Sequence, residues 1–439
     1  MNTAPTPALL AAVRTALTAL TGQDHRAAST LSLIPSENTC SALARMPLAT
    51  DATHRYFFNT SGDPDGWAFP AGRTASAVET GLTLPLLREL TGAHHINIRA
   101  LSGLHAMSLV LSAWAGRPGT ALISIHPDQG GHYATASLAA RFGLTPHQVG
   151  GPNPHTIDLD ALTALVRTHR PRLVYLDQAH VLFPADITAT AAAVRAGCPQ
   201  TLVYADASHT MGLILGRALP NPLTAGADAF GGSTHKTFPG PQKGMICTDH
   251  DDLAELLGQA QYEMVSNHHL GAACALGLAA AEFIAADAPD YAAQTITAAQ
   301  ALGAALADHG LQPQAAEHGY TATHQLWLDT TRAGVPGTHA GHRLYEAGFH
   351  VNVLTDLPGL AGRSALRLGT AEAVACGLNA TDMPQVAALL TDAILARRPA
   401  HAIAGDVAEL RANRTSRWQL HRHPYLADLL SNQAVEAIA

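Results

Sequence analysis

The sequence of this 439-residue chain predicts an α/β fold: a large domain around a mainly parallel sheet, followed by a small α+β C-terminal domain. Two observations carry that prediction. Between about residues 80 and 250, short runs rich in Ile, Leu and Val alternate with Ala/Leu-rich helical stretches, the pattern of repeated strand–helix–strand units. After a long Ala-rich stretch (271–308), interrupted by Pro289, strand-like runs resume among helices.

The elements follow in order. The opening, MNTAPTPALLAAVRTALTAL, lacks a basic start and carries Arg14 inside its apolar run, so an amphipathic arm is expected rather than a signal peptide. HHINIRAL, TALISIH, RLVYLD, TLVYADA and GMICT read as strands of the large domain, and HAMSLVLSAWAG, LDALTALVRTH and ITATAAAVRAG as its helices. HQLWLD and SALRLG read as strands of the small domain. The expected division is an arm over 1–30, the large domain over 31–290 and the small domain over 291–439. No apolar run is long enough to span a bilayer.

Composition narrows the function. A net charge of −8 without a Lys/Arg block argues against a nucleic-acid partner. Five scattered cysteines (Cys40, Cys198, Cys247, Cys274 and Cys376) form no disulfide framework, which fits a reducing cytoplasm. The 25 histidines show no metal-ligand spacing, so no metal site is expected.

The chemistry sits at strand ends, where ligands of such sheets bind. TLVYADASHTMG delivers Asp206, with His209 three residues later; alone, Asp206 reads as a helix N-cap or half of an ion pair. GGSTHKTFPGPQKG holds Lys236 among small and helix-breaking residues; alone, it reads as a surface-loop lysine. Together they form the pattern pyridoxal phosphate requires: a carboxylate for the pyridinium nitrogen and a desolvated amine to form an imine. RALSGLHAMSLVL adds a helix start at Ser102, Gly103 and Leu104, whose free N–H groups and dipole suit a phosphate. His132 follows a Gly-Gly turn and could lie flat on a pyridine ring, or be an ordinary loop histidine. Arg367, inside the apolar strand SALRLGT, suits a planar carboxylate or an inter-domain ion pair.

LIPSEN (33–38), GGH (130–132), DASHTMGL (206–213), STHKTFPGPQKGMI (233–246) and LRLGT (366–370) occur in the order found in serine hydroxymethyltransferases. The chain resembles that family over roughly residues 30 to 380. The resemblance implies a fold-type-I pyridoxal-phosphate transferase of aspartate-aminotransferase-like architecture, with a large sheet of the seven-stranded type. It also implies a homodimer with shared active sites. By this likeness Lys236 would carry the cofactor, Asp206 would hold its ring nitrogen, His132 would stack on the ring and His209 would lie near the ring hydroxyl. Ser102, Gly103 and Leu104 would bind phosphate, Gln178 and Tyr56 would complete the cofactor set, and His235 would sit beside the lysine. Arg367 and Ser36 would take the substrate carboxylate.

Departures from the family matter as much. The segment after SEN reads THRYFFNTSGDPDGWAFPAG (53–72); a gapless count puts Tyr56 on the family's first tyrosine and Phe58 on its folate-directed glutamate, while RYF set on the family's RYY leaves that glutamate without a counterpart, and either way the carboxyl is absent. Tyr133 replaces a leucine where folate would rest. SNHH (266–269) replaces a glycine-rich loop that approaches the neighbouring subunit's cofactor, so that His268 or His269 enters the partner's site or the loop is rebuilt. Tyr133 and Phe58 therefore join Ser36 and Arg367 as expected substrate-binding residues. A cofactor set retained without the folate glutamate points to the folate-independent L-threonine transaldolase branch. Such enzymes cleave a β-hydroxy amino acid by retro-aldol chemistry to a glycyl quinonoid and add it to an acceptor aldehyde, building β-hydroxy-α-amino acids for secondary metabolism. The alternatives are a tetrahydrofolate-using hydroxymethyltransferase acting on serine, glycine or α-methylserine, and a non-catalytic pyridoxal-phosphate-binding protein.

Overall fold

A computed structural model describes residues 5–57, 69–360 and 362–427. The chain opens on a helix, Pro7–Ser29, started by the Thr6 side chain, which accepts from Leu9 N at 3.3 Å, and by proline in its first turn. None of its residues is buried. Leu31–Ser32 (β1) then pairs in parallel with a strand more than 300 residues away, Phe349–His350, which anchors the start of the chain to its C-terminal part.

The strands of the large sheet are His95–Asn97 (β2), Ala121–Ile125 (β3), Thr145–Val149 (β4), Leu173–Leu176 (β5), Leu202–Asp206 (β6), Ala229–Ser233 (β7) and Gly244–Thr248 (β8). Their spatial order is β2-β8-β7-β6-β5-β3-β4, parallel from β4 through β7, with β8 antiparallel to both its neighbours. The seven strands and the intervening helices Leu159–His169 and Ile187–Gly197 give the expected α/β architecture. Strands β3, β5, β7 and β8 are buried along their full length, as a sheet covered on both faces requires.

Two strands of the large sheet escaped the sequence reading. β4, TPHQV, lies at the sheet edge and is only partly buried, so it carries no apolar run. β7, AFGGS, is buried but half of its signal is glycine, and the glycine is required. Gly232 adopts φ +135°, and a Cβ there would stand 2.3 Å from Ser208 Oγ and 2.8 Å from Asp206 Oδ1. The glycine lets β7 lie directly against the end of β6.

The Ala-rich stretch is two helices, Leu270–Ala285 and Ala288–Asp308, set at 81° to each other, with Pro289 in the first turn of the second. No single helix among the described residues is long and apolar enough to cross a membrane. Gln325–Leu328 (β9), the β1 partner Phe349–His350 (β10), Asn352–Leu354 (β11) and Ala365–Gly369 (β12) follow, and β11-β12-β9 form an antiparallel sheet. β12 is buried throughout, so whatever side chain it carries into the interior must be satisfied there.

Candidate active site

The C-terminal ends of β5, β6 and β7 and the start of the helix Gly103–Trp114 surround a small cavity. Gly103, Leu104, Met107, His132, Gln178, Asp206, His209, Ser233 and Lys236 all line it.

Asp206 ends β6 without capping a helix and without an ion pair among the described residues, so neither simpler reading of it holds. Its Oδ2 accepts from Tyr175 OH at 2.8 Å and its Oδ1 from Ser208 N at 2.9 Å. The carboxylate is thus oriented by neutral donors, and its charge remains available to a cation in the cavity.

Lys236 lies beyond β7. No hydrogen bond or ion pair holds its ammonium among the described residues. Burial lowers its pKa to about 8, against the pull of Asp206 and with help from Arg367. The loop around it is clamped. Asn38 Nδ2 donates to Lys236 O at 2.6 Å, Tyr291 OH donates to Thr237 O at 2.9 Å, and Thr237 Oγ1 donates to His209 O at 3.1 Å. The peptide is fixed while the amine stays free.

Ser102 caps the helix, its Oγ accepting from His105 N at 3.1 Å. The N–H groups of Gly103 and Leu104 have no acceptor inside the helix, and both residues line the cavity. A side chain at 103 would crowd β7, because a Cβ would sit 2.1 Å from Ser233 Oγ and 3.1 Å from Ser233 N. Helix start and β7 therefore touch through backbone, the arrangement an anion cradle needs.

Histidines supply the rest. Asp177 buries its carboxylate behind His132, with Oδ2 accepting from His132 N at 3.1 Å and Oδ1 from Ile125 N at 3.0 Å; burial raises its pKa to about 7. The His132 ring is stacked on Tyr133 at 4.6 Å and is held below the usual histidine range, chiefly by burial. His209 is buried, and its Nδ1 accepts from Gln325 Nε2 at 3.1 Å, which leaves Nε2–H as a donor. Burial, then Lys236 and Arg367, push its pKa far down. His235 Nδ1 is buried without a partner, and burial with Lys236 lowers its pKa to about 4.

Arg367 is 8% exposed on β12, with its pKa lowered by burial to about 10. Its partners are Asn352 Oδ1, Ala179 O and His180 Nδ1, and no carboxylate pairs with it among the described residues. The inter-domain ion pair is thereby excluded for this arginine among those residues. Ser36 sits on a tight turn next to Pro35, whose carbonyl accepts from His324 Nε2 at 3.1 Å and whose ring abuts Gly369 at the end of β12.

Other expected residues lie apart. Tyr133 is 77% exposed, at the outer side of His132. Tyr56 is half-exposed against Phe69, ring centroids 5.5 Å apart, and does not line the cavity of its own chain. Gln178 lines the cavity while its Oε1 accepts from Ala185 N at 2.7 Å. Phe58 falls outside the described residues. Of the two loop histidines, His269 is exposed at φ +57°. His268 is buried in its own chain, with Nε2 2.9 Å from Glu79 Oε2 and its carbonyl accepting from Lys243 Nζ at 2.6 Å. Arg99 closes that cluster on Glu79 at 2.7 Å, so the loop is rebuilt around an internal ion-pair network. Asn38, Tyr175, Asp177, His180, Gln325 and Asn352 were not singled out in the sequence. Only Asp177 left a signal there, a carboxylate ending an apolar strand as Asp206 does.

The residues present suit pyridoxal phosphate: an uncompensated carboxylate, a partnerless amine and a helix start share one cavity. A family model, serine hydroxymethyltransferase, matches residues 13–390. The chain belongs to the serine hydroxymethyltransferase family. It is 43% identical over 351 residues to an L-threonine:uridine-5'-aldehyde transaldolase of a Streptomyces species, covering 80% of this chain and 84% of that protein. It is 33% identical to a serine hydroxymethyltransferase of Methanopyrus kandleri, over 87% of this chain and 89% of the relative. A crystal structure of L-threonine transaldolase from Pseudomonas fluorescens, in its internal aldimine state, superposes with a TM-score of 0.85 at 27% identity, covering 97% and 98% of the two chains. The chain is thus a pyridoxal-phosphate-dependent, fold-type-I enzyme of the aldol-transferase kind.

Proposed function

We propose that this serine hydroxymethyltransferase relative is an L-threonine transaldolase that moves the glycyl unit of threonine onto an acceptor aldehyde without folate. The observation that carries the reading is Arg367. A buried guanidinium with only neutral partners, close enough to Lys236 to lower its pKa, suits an α-amino acid carboxylate. The choice of transaldolase over hydroxymethyl transfer is supported by the segment after SEN, which carries no counterpart of the family's folate-directed carboxylate, and by the transaldolases among its relatives.

Bound in the cavity, pyridoxal phosphate supplies an electron sink for the pair released when the Cα–Cβ bond of a β-hydroxy amino acid breaks. The chain does the remainder. Lys236 offers its amine, and Asp206 holds a proton on the ring nitrogen. His132 would lie along the ring, His209 Nε2–H and Gln178 would serve the ring hydroxyl, and Ser102, Gly103 and Leu104 would take the phosphate. Arg367, with Ser36, would fix the carboxylate and so orient the bonds at Cα. His235, neutral at pH 7 and with its Nδ1 unpartnered among the described residues, is the acceptor for the β-hydroxyl proton. Tyr133, at the outer side of His132, borders the acceptor aldehyde.

We further propose a cytoplasmic homodimer in secondary metabolism, with Tyr56 completing the cofactor site of the opposite subunit. We divide it into an arm to residue 30, a large domain to 290 and a small domain beyond.

The test is direct. The cofactor-loaded enzyme, given L-threonine and a panel of aldehydes without folate, should release acetaldehyde and form new β-hydroxy-α-amino acids. Inertness toward threonine, together with tetrahydrofolate-dependent interconversion of serine and glycine, would establish the hydroxymethyltransferase reading instead.

A further inference from the structure

Arg367 uses four of its five N–H donors on neutral acceptors. Asn352 Oδ1 takes Nε at 3.3 Å and Nη2 at 3.0 Å, Ala179 O takes one Nη1 hydrogen at 3.4 Å, and His180 Nδ1 takes the other at 3.1 Å. An arginine can only donate, so His180 Nδ1 must present a lone pair, with the imidazole proton on Nε2. The histidine is fixed in turn. It follows β5 by four residues, and its ring stands edge-on to Trp327 with centroids 6.5 Å apart. Trp327 is fully buried and sits opposite Arg367 in the β9–β12 register. One small sheet therefore carries the arginine and braces the histidine that holds it.

The chemistry of this holder is informative. An Asp or Glu at position 180 would orient the guanidinium equally well, but would neutralise it and compete with an incoming carboxylate. Removal of the acceptor would leave the Nη1 end held by Ala179 O alone, at 3.4 Å, with an N–H unpaired in a buried site. A neutral lone pair does neither.

We infer that His180 is a positioning residue for carboxylate recognition: it orients the Arg367 fork through a neutral acceptor and leaves the positive charge free for the substrate. The inference rests on the reading of Arg367 as the carboxylate site.

The experiment uses the cofactor-loaded enzyme and two probes, L-threonine and 1-amino-2-propanol, which keeps the amine and hydroxyl but lacks the carboxylate. H180A should weaken L-threonine binding by about tenfold, the scale of one hydrogen bond to a charged group. Its kcat should stay within about threefold, and binding of the amino alcohol should not change. H180N and H180Q, which retain a neutral acceptor, should recover most of the threonine affinity, and H180D should bind threonine more weakly than H180A.

Equal weakening of both probes would overturn the assignment, as would unchanged threonine binding in H180A. Amide variants no better than alanine, or H180D binding as well as wild type, would also overturn it. If H180A does not fold, the contrast between H180N and H180D decides by itself. An enzyme that binds threonine through this contrast yet releases no acetaldehyde would refute the transaldolase reading and leave the role of His180 standing.

Discussion

At the scale of single residues, the site works by withholding partners. Lys236, Asp206 and Arg367 are held through backbone or neutral hydrogen bonds, and none is neutralised by a carboxylate or cation of the chain among the described residues. For Lys236 this fixes a pH dependence. Its amine must be neutral to attack an aldehyde, and burial brings its pKa from 10.5 to about 8. The neutral fraction therefore grows as pH rises through 8. The rate at which the apoprotein recombines with pyridoxal phosphate should climb between pH 7 and 9 and flatten above, measured by stopped-flow absorbance. A rate independent of pH over that range would contradict the assignment. Asn38 belongs to the same scale. Asn38→Ala removes the bond to Lys236 O and the contact with Tyr291 OH at 2.9 Å. Loss of such a pair costs on the order of 1–3 kcal/mol, so cofactor affinity should fall by roughly ten- to a hundredfold in an equilibrium titration.

At the scale of elements, the site is made where strand ends meet a helix start, and two loops hold it together. The rebuilt loop before Leu270 is tied down by Glu79, Arg99, His268 and Lys243. Glu79 is the only carboxylate in that group. Burial alone would raise its pKa, yet Arg99, His268 and Lys243 bring it below the usual range, while burial pushes Lys243 down to about 7. Glu79→Gln would leave Arg99 without its counter-charge, and breaking a buried pair from one side costs about 3–5 kcal/mol. At roughly 1 °C per kcal/mol for a chain of 439 residues, a Tm drop of about 3–5 °C is expected by calorimetry. A drop of only a degree or two would mean that the cluster is solvated in the folded protein.

At the scale of the whole molecule, the helix Pro7–Ser29 leaves Leu9, Leu10, Val13, Leu17 and Leu20 between 47% and 65% exposed. An apolar row of that length on an otherwise unburied helix marks a contact surface. We expect the full chain to elute as a dimer in light-scattering chromatography, and deletion of residues 1–30 to weaken it to monomer. Retention of the dimer after deletion would place the interface elsewhere.

What the sequence determined by itself was the chemistry and its order along the chain. Strand alternation is a local signal, and it indicated the α/β class. Asp206, Lys236, His132 and the helix start at Ser102 were legible because each sits at a boundary between a patterned element and a loop. The strands β4 and β7 were not, since edge exposure and glycine content erase the apolar run that marks a strand. Nor was the pairing of β1 with β10, or any contact that joins residues far apart: Asn38 with the Lys236 loop, Asp177 with His132, Gln325 with His209, His180 with Arg367. Only the tertiary structure decided these. A side chain's partner depends on which strands become neighbours, and neighbours in the sheet, such as β5 and β3, are not neighbours in the chain.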